Sequence, residues 1–355
     1  MALPSYGRQI AEKLQEHQWD VVLLQHCTQY APVIESLNSE AKIALHLHAP
    51  WFSESKTRLL SKRPNAVDLV TTVSEIVKSK VVDRFPTLAD RCDAMYGIDA
   101  DEFRRQKDYR RTSRKRRILF VGAVSPHSGV HVLLDAFQRV TSSYPDVCLD
   151  IVGPQAVYPM SEVFDLQDKE VLQTVDPFYQ EHRTSQLRQM LRILPRPDGY
   201  MAKIQRMLTP DVARKVNFVG GIGDRLELIN YYYDADIFAF PVLCDHGFGL
   251  PPVEAIAAGT AVIASRSGAI PETVKDRQTG LLVAKNDPEG LAAAMLTLLR
   301  NDRLREQLGR AARQSVMDRF TWDGVAERMY ERYQRLCATG TRKRAIRNPW
   351  SYAAM

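Results

Sequence analysis

Short apolar runs alternate with amphipathic stretches along most of the chain, a pattern typical of parallel α/β sheets. The run RILFVGAV (Arg117–Val124) predicts a buried strand, and an amphipathic helix pattern, Val130–Thr141, follows it directly. A second buried run, CLDIVG (Cys148–Gly153), comes next, and the alternation continues to a closing helix pattern at Trp322–Leu336. We therefore predict a doubly wound parallel-sheet domain over residues 117–336.

The part of the chain before this domain is short. It opens on a helix pattern at Tyr6–His17 instead of an apolar strand with a glycine-rich turn. A doubly wound half normally starts with that central strand, so residues 1–103 predict an abbreviated N-terminal Rossmann-like domain. Its four predicted strands are Asp20–Gln25, Ala41–His48, Leu69–Val73 and Cys92–Tyr96.

The segment 154–215 is too long for a single crossover between strands. Its charged, helical patterns predict an insertion at the carboxyl end of a strand, with helices at Glu170–Gln180, Arg183–Leu194 and Met201–Leu208. Ligands bind at that edge of doubly wound sheets. Contact of the insertion with a substrate and a plain elaboration of the fold therefore both stay open.

Composition narrows the class of protein. The chain has 355 residues, 45% hydrophobic and 25% charged, which fits two globular domains and excludes a fibrous or disordered protein. No run approaches the ~20 apolar residues of a membrane span, and Val21–Leu24 is too short for a signal-peptide core, so we expect a cytoplasmic protein. The five cysteines are scattered and never form a C-x-x-C pair, which argues against disulfides and a zinc site.

The net charge of +6 is concentrated in two basic segments. Nine Lys or Arg and one Asp lie between Arg104 and Arg117, and four more basic residues lie near the chain end. We predict a solvated basic linker at 104–116 and a basic tail at 337–355. Peripheral contact with anionic lipid at the inner membrane face, or with a polyanionic substrate, stays open. No recognition module supports binding to nucleic acid.

A glycine-containing loop, Gly247-Phe248-Gly249, lies between a predicted strand ending at Val242 and a helix pattern beginning near Pro251 or Pro252. Glycines before a helix, with proline in its first turn, suit a loop whose backbone N–H groups face an anion. Glu254, one turn further along, is placed to hold a ribose diol by paired hydrogen bonds. Tight packing alone explains such a loop equally well.

The longer stretch from Asp236 to Leu282 resembles the retaining glycosyltransferases of family four, whose loop and helix read like E-G-F-G-L-P-x-x-E-A. The resemblance spans about Asp20 to Leu336. The matching residues are Gly247, Phe248, Gly249, Leu250, Pro251, Glu254 and Ala255, with the segments Thr72–Glu75, Tyr96–Phe103, Phe120–Phe137, Ala258–Thr260, Ser267–Glu272, Thr279–Leu281 and Thr321–Tyr333.

This resemblance implies the GT-B fold, an α/β architecture of two Rossmann-like, doubly wound parallel-sheet domains, with the N-terminal one abbreviated here. It also implies transfer of a hexose from a nucleotide-diphosphate donor with retained anomeric configuration, without a metal or other cofactor. The donor is expected in the C-terminal domain. The acceptor, a saccharide or a lipid-linked molecule, is expected to face the N-terminal domain.

The resemblance implies donor-binding roles for individual residues. Glu254 would hold the donor ribose, and Gly122 would allow close approach to the diphosphate. The loop Gly247-Phe248-Gly249, together with Leu250, would contact the sugar and the phosphates through backbone donors.

Two histidines are the catalytic candidates that the resemblance implies. His48, at the end of the strand ALHLH, matches an active-site histidine of the family. His46 points to the same side of that strand and is the alternative to His48. His246 stands where the family has the first Glu of its motif.

The chain also departs from the family at two positions that would hold the diphosphate. The family's Arg is replaced by Ala123 and its Lys by Ser128. Loss of one group that stabilises charge in a transition state typically lowers the rate ~10²–10³-fold. The replacement cations nearest in sequence are His127, His131, His246 and Arg266.

Three functions therefore stay open. The first is a glycosyltransferase of polysaccharide biosynthesis, working on a surface or exported polymer. The second is a catalytically silent GT-B protein that acts as a partner or regulatory subunit, and the third, weaker one is a sugar-nucleotide epimerase. An abbreviated first sheet would expose a strand edge, so a homodimer or a partner chain also stays open.

Overall fold

The structure is a computed structural model, and it divides the chain into two compact units. The first unit comprises Met1–Gly97 and Trp322–Met355, and the second comprises Ile98–Thr321. The predicted helix Arg183–Leu194 lies outside the described residues. The residues that the structure describes are 9–10, 13–27, 30–31, 34, 41–48, 66–109, 115–156, 169–179 and 199–338.

The first unit contains a parallel sheet of four strands, β1 (Val21–Gln25), β2 (Lys42–Leu47), β3 (Leu69–Thr72) and β4 (Cys92–Ala94). The strands lie side by side in chain order, which confirms the four predicted strands. Every residue of β2 and β3 is buried, as expected for central strands of a parallel sheet. Helix α1 (Glu75–Arg84) follows β3, and the Ser74 hydroxyl caps it by accepting the Val77 N–H at 3.3 Å.

The second unit contains a parallel sheet of six strands, β5 (Arg116–Val121), β6 (Val147–Val152), β7 (Val216–Gly220), β8 (Ile237–Phe240), β9 (Ala261–Ser265) and β10 (Leu281–Val283). Their order is β10-β9-β8-β5-β6-β7. The chain therefore builds outward from β5 in one direction and then from β8 in the other. The α/β class and the doubly wound second sheet are confirmed, and the switch point lies between β5 and β8.

The helices of the second unit cover both faces of its sheet. Polar side chains cap three of them: Asp224, Asp287 and Asn301 each accept an N–H of the first helical turn. Within the described residues, no helix is long and apolar enough to cross a membrane. The helices are α2 (Val130–Ser143), α3 (Tyr200–Arg206), α4 (Pro210–Ala213), α5 (Arg225–Asp234), α6 (Leu250–Ala257), α7 (Ile270–Thr273), α8 (Pro288–Arg300) and α9 (Asp302–Arg319).

The closing helix α10 (Trp322–Ala338) belongs to the first unit. Its Arg332 pairs with Asp93 at 2.6 Å, and the Trp322 ring lies 5.3 Å from the ring of Tyr96. This grouping differs from the predicted 117–336 domain, because side chains of the helix find their partners near β4. Its sequence pattern predicts the helix but not the neighbours on which the helix packs.

The basic linker is not solvated throughout, which corrects the expectation from its charge. Lys107 is half-buried, and its ammonium group donates to the carbonyl oxygens of Tyr233 and Ala235 at 2.7 and 2.6 Å. The Tyr109 hydroxyl donates to the Gly259 carbonyl at 2.7 Å. This part of the linker belongs to the second unit and packs on its helices, because carbonyl oxygens at two helix ends accept hydrogen bonds from Lys107 and Tyr109.

Candidate functional site

The candidate site lies at the carboxyl edge of the second sheet, at the switch point between β5 and β8. The loop after β5 and the loop after β8 meet there, since the Leu243 N–H donates to the His127 carbonyl at 2.9 Å. Gly129 has φ +71°, and a Cβ at this position would lie 1.9 Å from the Pro241 carbonyl oxygen. Only glycine therefore allows the two loops to come this close.

Gly122, directly after β5, lies in backbone contact with the end of β6. Its N–H donates to the Val152 carbonyl at 2.9 Å, and a Cβ on Gly153 would lie 1.9 Å from the Gly122 carbonyl oxygen. Sequence reasoning selected Gly122 and missed Gly153. The signal for Gly153 was its place directly after the second buried strand, at the same edge of the sheet.

The two positions where the family has cations carry no charge here. Ala123 is apolar, and Ser128 is buried with its hydroxyl 2.7 Å from the Ser125 hydroxyl. Ser125 also lies 3.2 Å from Nε2 of His127. Ser128 therefore belongs to a hydrogen-bonded network inside the loop.

The loop Gly247-Phe248-Gly249 leads into α6, which begins at Leu250, one or two residues before the predicted start at Pro251 or Pro252. Gly249 precedes the helix with φ +83°, and a Cβ there would lie 2.7 Å from the Ile270 side chain. Two of the first three helical residues are proline and have no N–H group. The loop glycines and Leu250 must therefore supply most of the backbone donors at this end of the helix.

The loop after β8 also forms hydrogen bonds with the segment after β9. Oδ1 of Asp245 accepts hydrogen bonds from the Ser267 hydroxyl, the Gly268 N–H and the Lys285 ammonium group, at 3.2, 3.1 and 2.9 Å. Gly268 has φ +48°, and a Cβ there would lie 2.4 Å from the His246 carbonyl oxygen. Lys285, which sequence reasoning missed, thus brings a cation to this edge.

His246 is a neutral imidazole in this environment. Its Nε2 is buried without a hydrogen-bond partner. Burial lowers the pKa of His246 to about 4, although the neighbouring Asp245 acts in the opposite direction. His246 therefore contributes no positive charge at neutral pH in the ligand-free protein.

The other candidates for replacing the two missing cations are two neutral histidines and an arginine that already has an acidic partner. Burial lowers the pKa of His127 and of His131 to about 4, with His246 adding to the effect on His127. Nδ1 of His131 lies 3.0 Å from the Tyr200 hydroxyl, and its ring lies 4.6 Å from that of Phe178, so two parts of the insertion cover it. Arg266 pairs with Asp276 at 2.7 Å.

Glu254 lies on α6 and is only 4% exposed. Its Oε1 lies 2.7 Å from Nη1 of Arg225, and its Oε2 accepts the Tyr232 hydroxyl at 2.7 Å. Burial raises the pKa of Glu254, whereas these two partners lower it. The carboxylate is thus held by two side chains of α5, and its contact with a ribose stays a prediction.

Three histidines lie together in the first unit, at the carboxyl ends of β1 and β2. His48 is exposed. Its Nε2 lies 2.7 Å from Oε1 of Gln25, and its backbone N–H donates to Nε2 of His26 at 3.0 Å. His46 is buried, and its Nδ1 lies 2.8 Å from the Thr71 hydroxyl. Of the two predicted alternatives, His48 is therefore the accessible one. Among the described residues, no group of three such side chains is arranged to hold a metal ion.

Known proteins match this chain in sequence and in fold. Residues 202–315 match the family model described as "Glycosyl transferases group 1". Lipopolysaccharide 1,2-N-acetylglucosaminetransferase of Salmonella typhimurium is 24% identical over 332 residues, which are 91% of this chain and 74% of that protein. GDP-mannose-dependent alpha-(1-6)-phosphatidylinositol monomannoside mannosyltransferase of Mycolicibacterium smegmatis is 27% identical over 281 residues, 75% and 62% of the two chains. The crystal structure of Anabaena HepE in complex with UDP-glucose matches with a TM-score of 0.65 and 18% identity, and covers 93% of this chain and 82% of that one.

Proposed function

Because the chain belongs to the group 1 glycosyltransferases and has their GT-B fold, we propose that it transfers a hexose from a nucleoside diphosphate donor with retained anomeric configuration. The observation that carries this proposal is the convergence of two glycine-containing loops at the switch point, one after β5 and one after β8. Two glycine-containing loops at this edge suit a diphosphate, because their backbone N–H groups can approach the phosphates where no side chain stands in between.

The donor site that we propose uses backbone groups more than charged side chains. The loop Gly247-Phe248-Gly249 and Leu250 would face the sugar and the phosphates, and Gly122 would leave room for the diphosphate. Glu254 would accept hydrogen bonds from the ribose. Without cations at Ala123 and Ser128, backbone dipoles would stabilise the departing diphosphate, and we expect slow turnover compared with relatives that keep both cations.

For the acceptor, we propose a saccharide or a lipid-linked saccharide in polysaccharide biosynthesis. The names of the two relatives above give a lipopolysaccharide and a phosphatidylinositol monomannoside. His48 is the side chain that we propose as facing the acceptor, since it is exposed at the carboxyl edge of the first sheet. The basic tail supports peripheral contact with an anionic membrane.

A thermal-shift titration with UDP, GDP, ADP and their common sugar conjugates tests the proposal. A ligand at one hundred times its Kd adds about 2.7 kcal/mol to the free energy of unfolding, which raises Tm by several degrees. We expect a shift with one nucleotide and retained configuration in the product by anomer-resolved NMR. An inverted product, or epimerised donor without transfer, contradicts the proposed reaction.

A second candidate function, a catalytically silent partner subunit, is favoured by one observation. Neither Ala123 nor Ser128 supplies a cation, and the pKa of His246 is far below neutral pH. The variant carrying Ala123→Arg, Ser128→Lys and His246→Glu distinguishes the two functions. Donor binding or hydrolysis that appears only in this variant supports the silent subunit, whereas turnover by the natural chain excludes it.

A further inference from the structure

One arginine of the second unit lies between two carboxylates, and only one of them belongs to the proposed donor site. Nε of Arg225 donates to both carboxylate oxygens of Glu102, at 3.1 and 3.0 Å, and its Nη2 donates to one of them at 2.6 Å. Nη1 is the nitrogen that contacts Oε1 of Glu254, at 2.7 Å. Glu102 thus occupies one full side of the guanidinium fork, and Glu254 has a single contact.

The residue after Glu102 fixes this arrangement. Phe103 is fully buried, its carbonyl accepts Nη2 of Arg313 at 2.5 Å, and its ring centroid lies 5.8 Å from the Arg225 guanidinium carbon. Glu102 is therefore anchored by packing as well as by charge. An anchored carboxylate can hold Arg225 in one orientation, which a mobile surface glutamate cannot do.

The same segment also fixes the helix that carries both partners of Glu254. Arg225 and Tyr232 lie on α5, and Lys107 donates to the carbonyl oxygens of Tyr233 and Ala235 where this helix ends. Lys107 also donates to the Thr260 hydroxyl at 2.9 Å, just after α6. The segment 101–109 therefore contacts the start and the end of α5 and the end of α6.

The geometry of a guanidinium explains what Glu102 achieves. Arginine binds a carboxylate most strongly with two parallel N–H bonds from one side of its fork. With that side occupied by Glu102, Arg225 gives Glu254 one bond. If Glu102 lost its charge, the fork could turn and hold both oxygens of Glu254, and fewer lone pairs of that carboxylate would remain for a ligand.

We propose that Glu102 is a positioning residue for nucleotide recognition: through Arg225, it keeps the Glu254 carboxylate able to accept the ribose hydroxyls of the donor. This inference rests on the proposed function, in which Glu254 faces the ribose. It assigns the ribose specificity of the site to a residue 152 positions earlier in the chain.

The test compares the affinity of each ribonucleoside diphosphate (UDP, GDP and ADP) with that of its 2′-deoxy analogue by calorimetry. A hydrogen bond to a charged group is worth about 1.5–3 kcal/mol, so we expect the natural chain to prefer the ribose form at least ten-fold. Glu102→Gln is expected to reduce this preference to less than three-fold, as is Glu254→Gln. Glu306→Gln, which removes an exposed pair with Arg310, is the matched control and should keep the preference.

The outcomes separate the two levels of the proposal. An unchanged ribose preference in Glu102→Gln overturns the positioning role and leaves the proposed function intact. No binding of any nucleotide to the natural chain overturns both. Should Glu102→Gln fail to fold, Glu102→Asp is compared instead, because its shorter side chain keeps the charge but weakens the contact with Arg225. A full ribose preference in Glu102→Asp then overturns the inference.

Discussion

Burial controls the protonation of four histidines, one in the first unit and three near the candidate site of the second unit. The pKa falls to about 4 at each of them: His46, His127, His131 and His246. An unfolded histidine has a pKa of about 6.5, so between pH 4 and 6.5 the unfolded chain binds more protons than the folded chain. The contribution of these histidines to the free energy of unfolding is therefore fully present above about pH 6.5 and is lost as the pH falls toward 4.

His131 allows a test of this pH dependence. We expect the natural chain to lose about 2 kcal/mol of unfolding free energy from this residue alone between pH 7 and pH 5. In His131→Asn, a polar atom still faces the Tyr200 hydroxyl but nothing titrates, so the loss should be smaller by that amount. Urea unfolding at both pH values measures it, with exposed His17→Asn as the control. An equally steep loss in His131→Asn contradicts the prediction.

At His48, the neighbouring Gln25 determines which ring nitrogen carries the proton. The amide oxygen of Gln25 can only accept, so Nε2 of His48 must donate and Nδ1 must be the basic nitrogen. Nε2 of His26 must carry no proton, because it accepts a hydrogen bond from the backbone N–H of His48. The structure therefore assigns one tautomer to the proposed acceptor-side histidine.

The tautomer of His48 can be read directly from ¹⁵N NMR of histidine-labelled protein. We expect the Nε2–H form in the natural chain and a mixture of both tautomers in Gln25→Leu, with kcat reduced about ten-fold and the donor KM unchanged. Thr71→Val removes the partner of His46 instead and should leave the His48 signal in place. An Nδ1–H tautomer in the natural chain would refute the assignment.

At the scale of elements, the site depends on the close approach of two loops. Gly129→Ala would place a methyl group 1.9 Å from the Pro241 carbonyl oxygen at φ +71°. The backbone strain and the displaced loop should together cost about 3 kcal/mol and weaken nucleotide binding. Gly223→Ala, with nothing within 4 Å of its Cβ, is the matched control and should stay within about 0.5 kcal/mol. Urea unfolding and calorimetry compare the two variants, and equal effects would contradict the prediction.

Elements were predictable where a local pattern determines them. The predicted strands Asp20–Gln25 and Leu69–Val73 match β1 and β3 to within one residue at one end, because polar residues limit both apolar runs. The helix pattern at Trp322–Leu336 was equally clear and matches α10, but its packing on the first unit was not predictable, because that depends on contacts such as Arg332 with Asp93.

The candidate site was predictable in its glycines and less so in its side-chain contacts. The family resemblance pointed to Gly122, Gly249 and Glu254, and their roles toward a donor stay predictions. The partners of Glu254 did not follow from the sequence: Tyr232 is 22 positions away, and Glu102 acts through Arg225, which is 123 positions from it. Such pairs are brought together only by the sheet topology.

At the scale of the whole molecule, several of the positive charges in the basic linker have local partners in the structure. Within the described part of the basic linker, the half-buried Lys107 donates to carbonyl oxygens, and Arg104 pairs with Asp101 at 2.7 Å. Arg116 pairs with Asp302 at 2.7 Å. These charges have local partners, so the linker contributes less to attraction toward an anionic surface than its composition suggests.

The basic tail is therefore the segment that we expect to attract the molecule to an anionic membrane. Residues 337–355 carry four positive charges and no acidic residue, and each Lys or Arg near such a surface adds about 1 kcal/mol. Replacing the four by glutamine should lower the affinity for phosphatidylglycerol-containing vesicles at least ten-fold at low salt. Flotation measures this change, and the residues replaced are Arg342, Lys343, Arg344 and Arg347.

The control for this experiment removes charge from the linker instead of the tail. Arg104→Gln with Arg116→Gln should change flotation less than two-fold, because carboxylates already neutralise both side chains. Raising the salt concentration to 0.5 M should release the natural chain, since the Debye length then falls below about 5 Å. Flotation that survives high salt would instead indicate apolar contact, and an equal loss from linker and tail variants would mean that total charge, not the tail, determines binding.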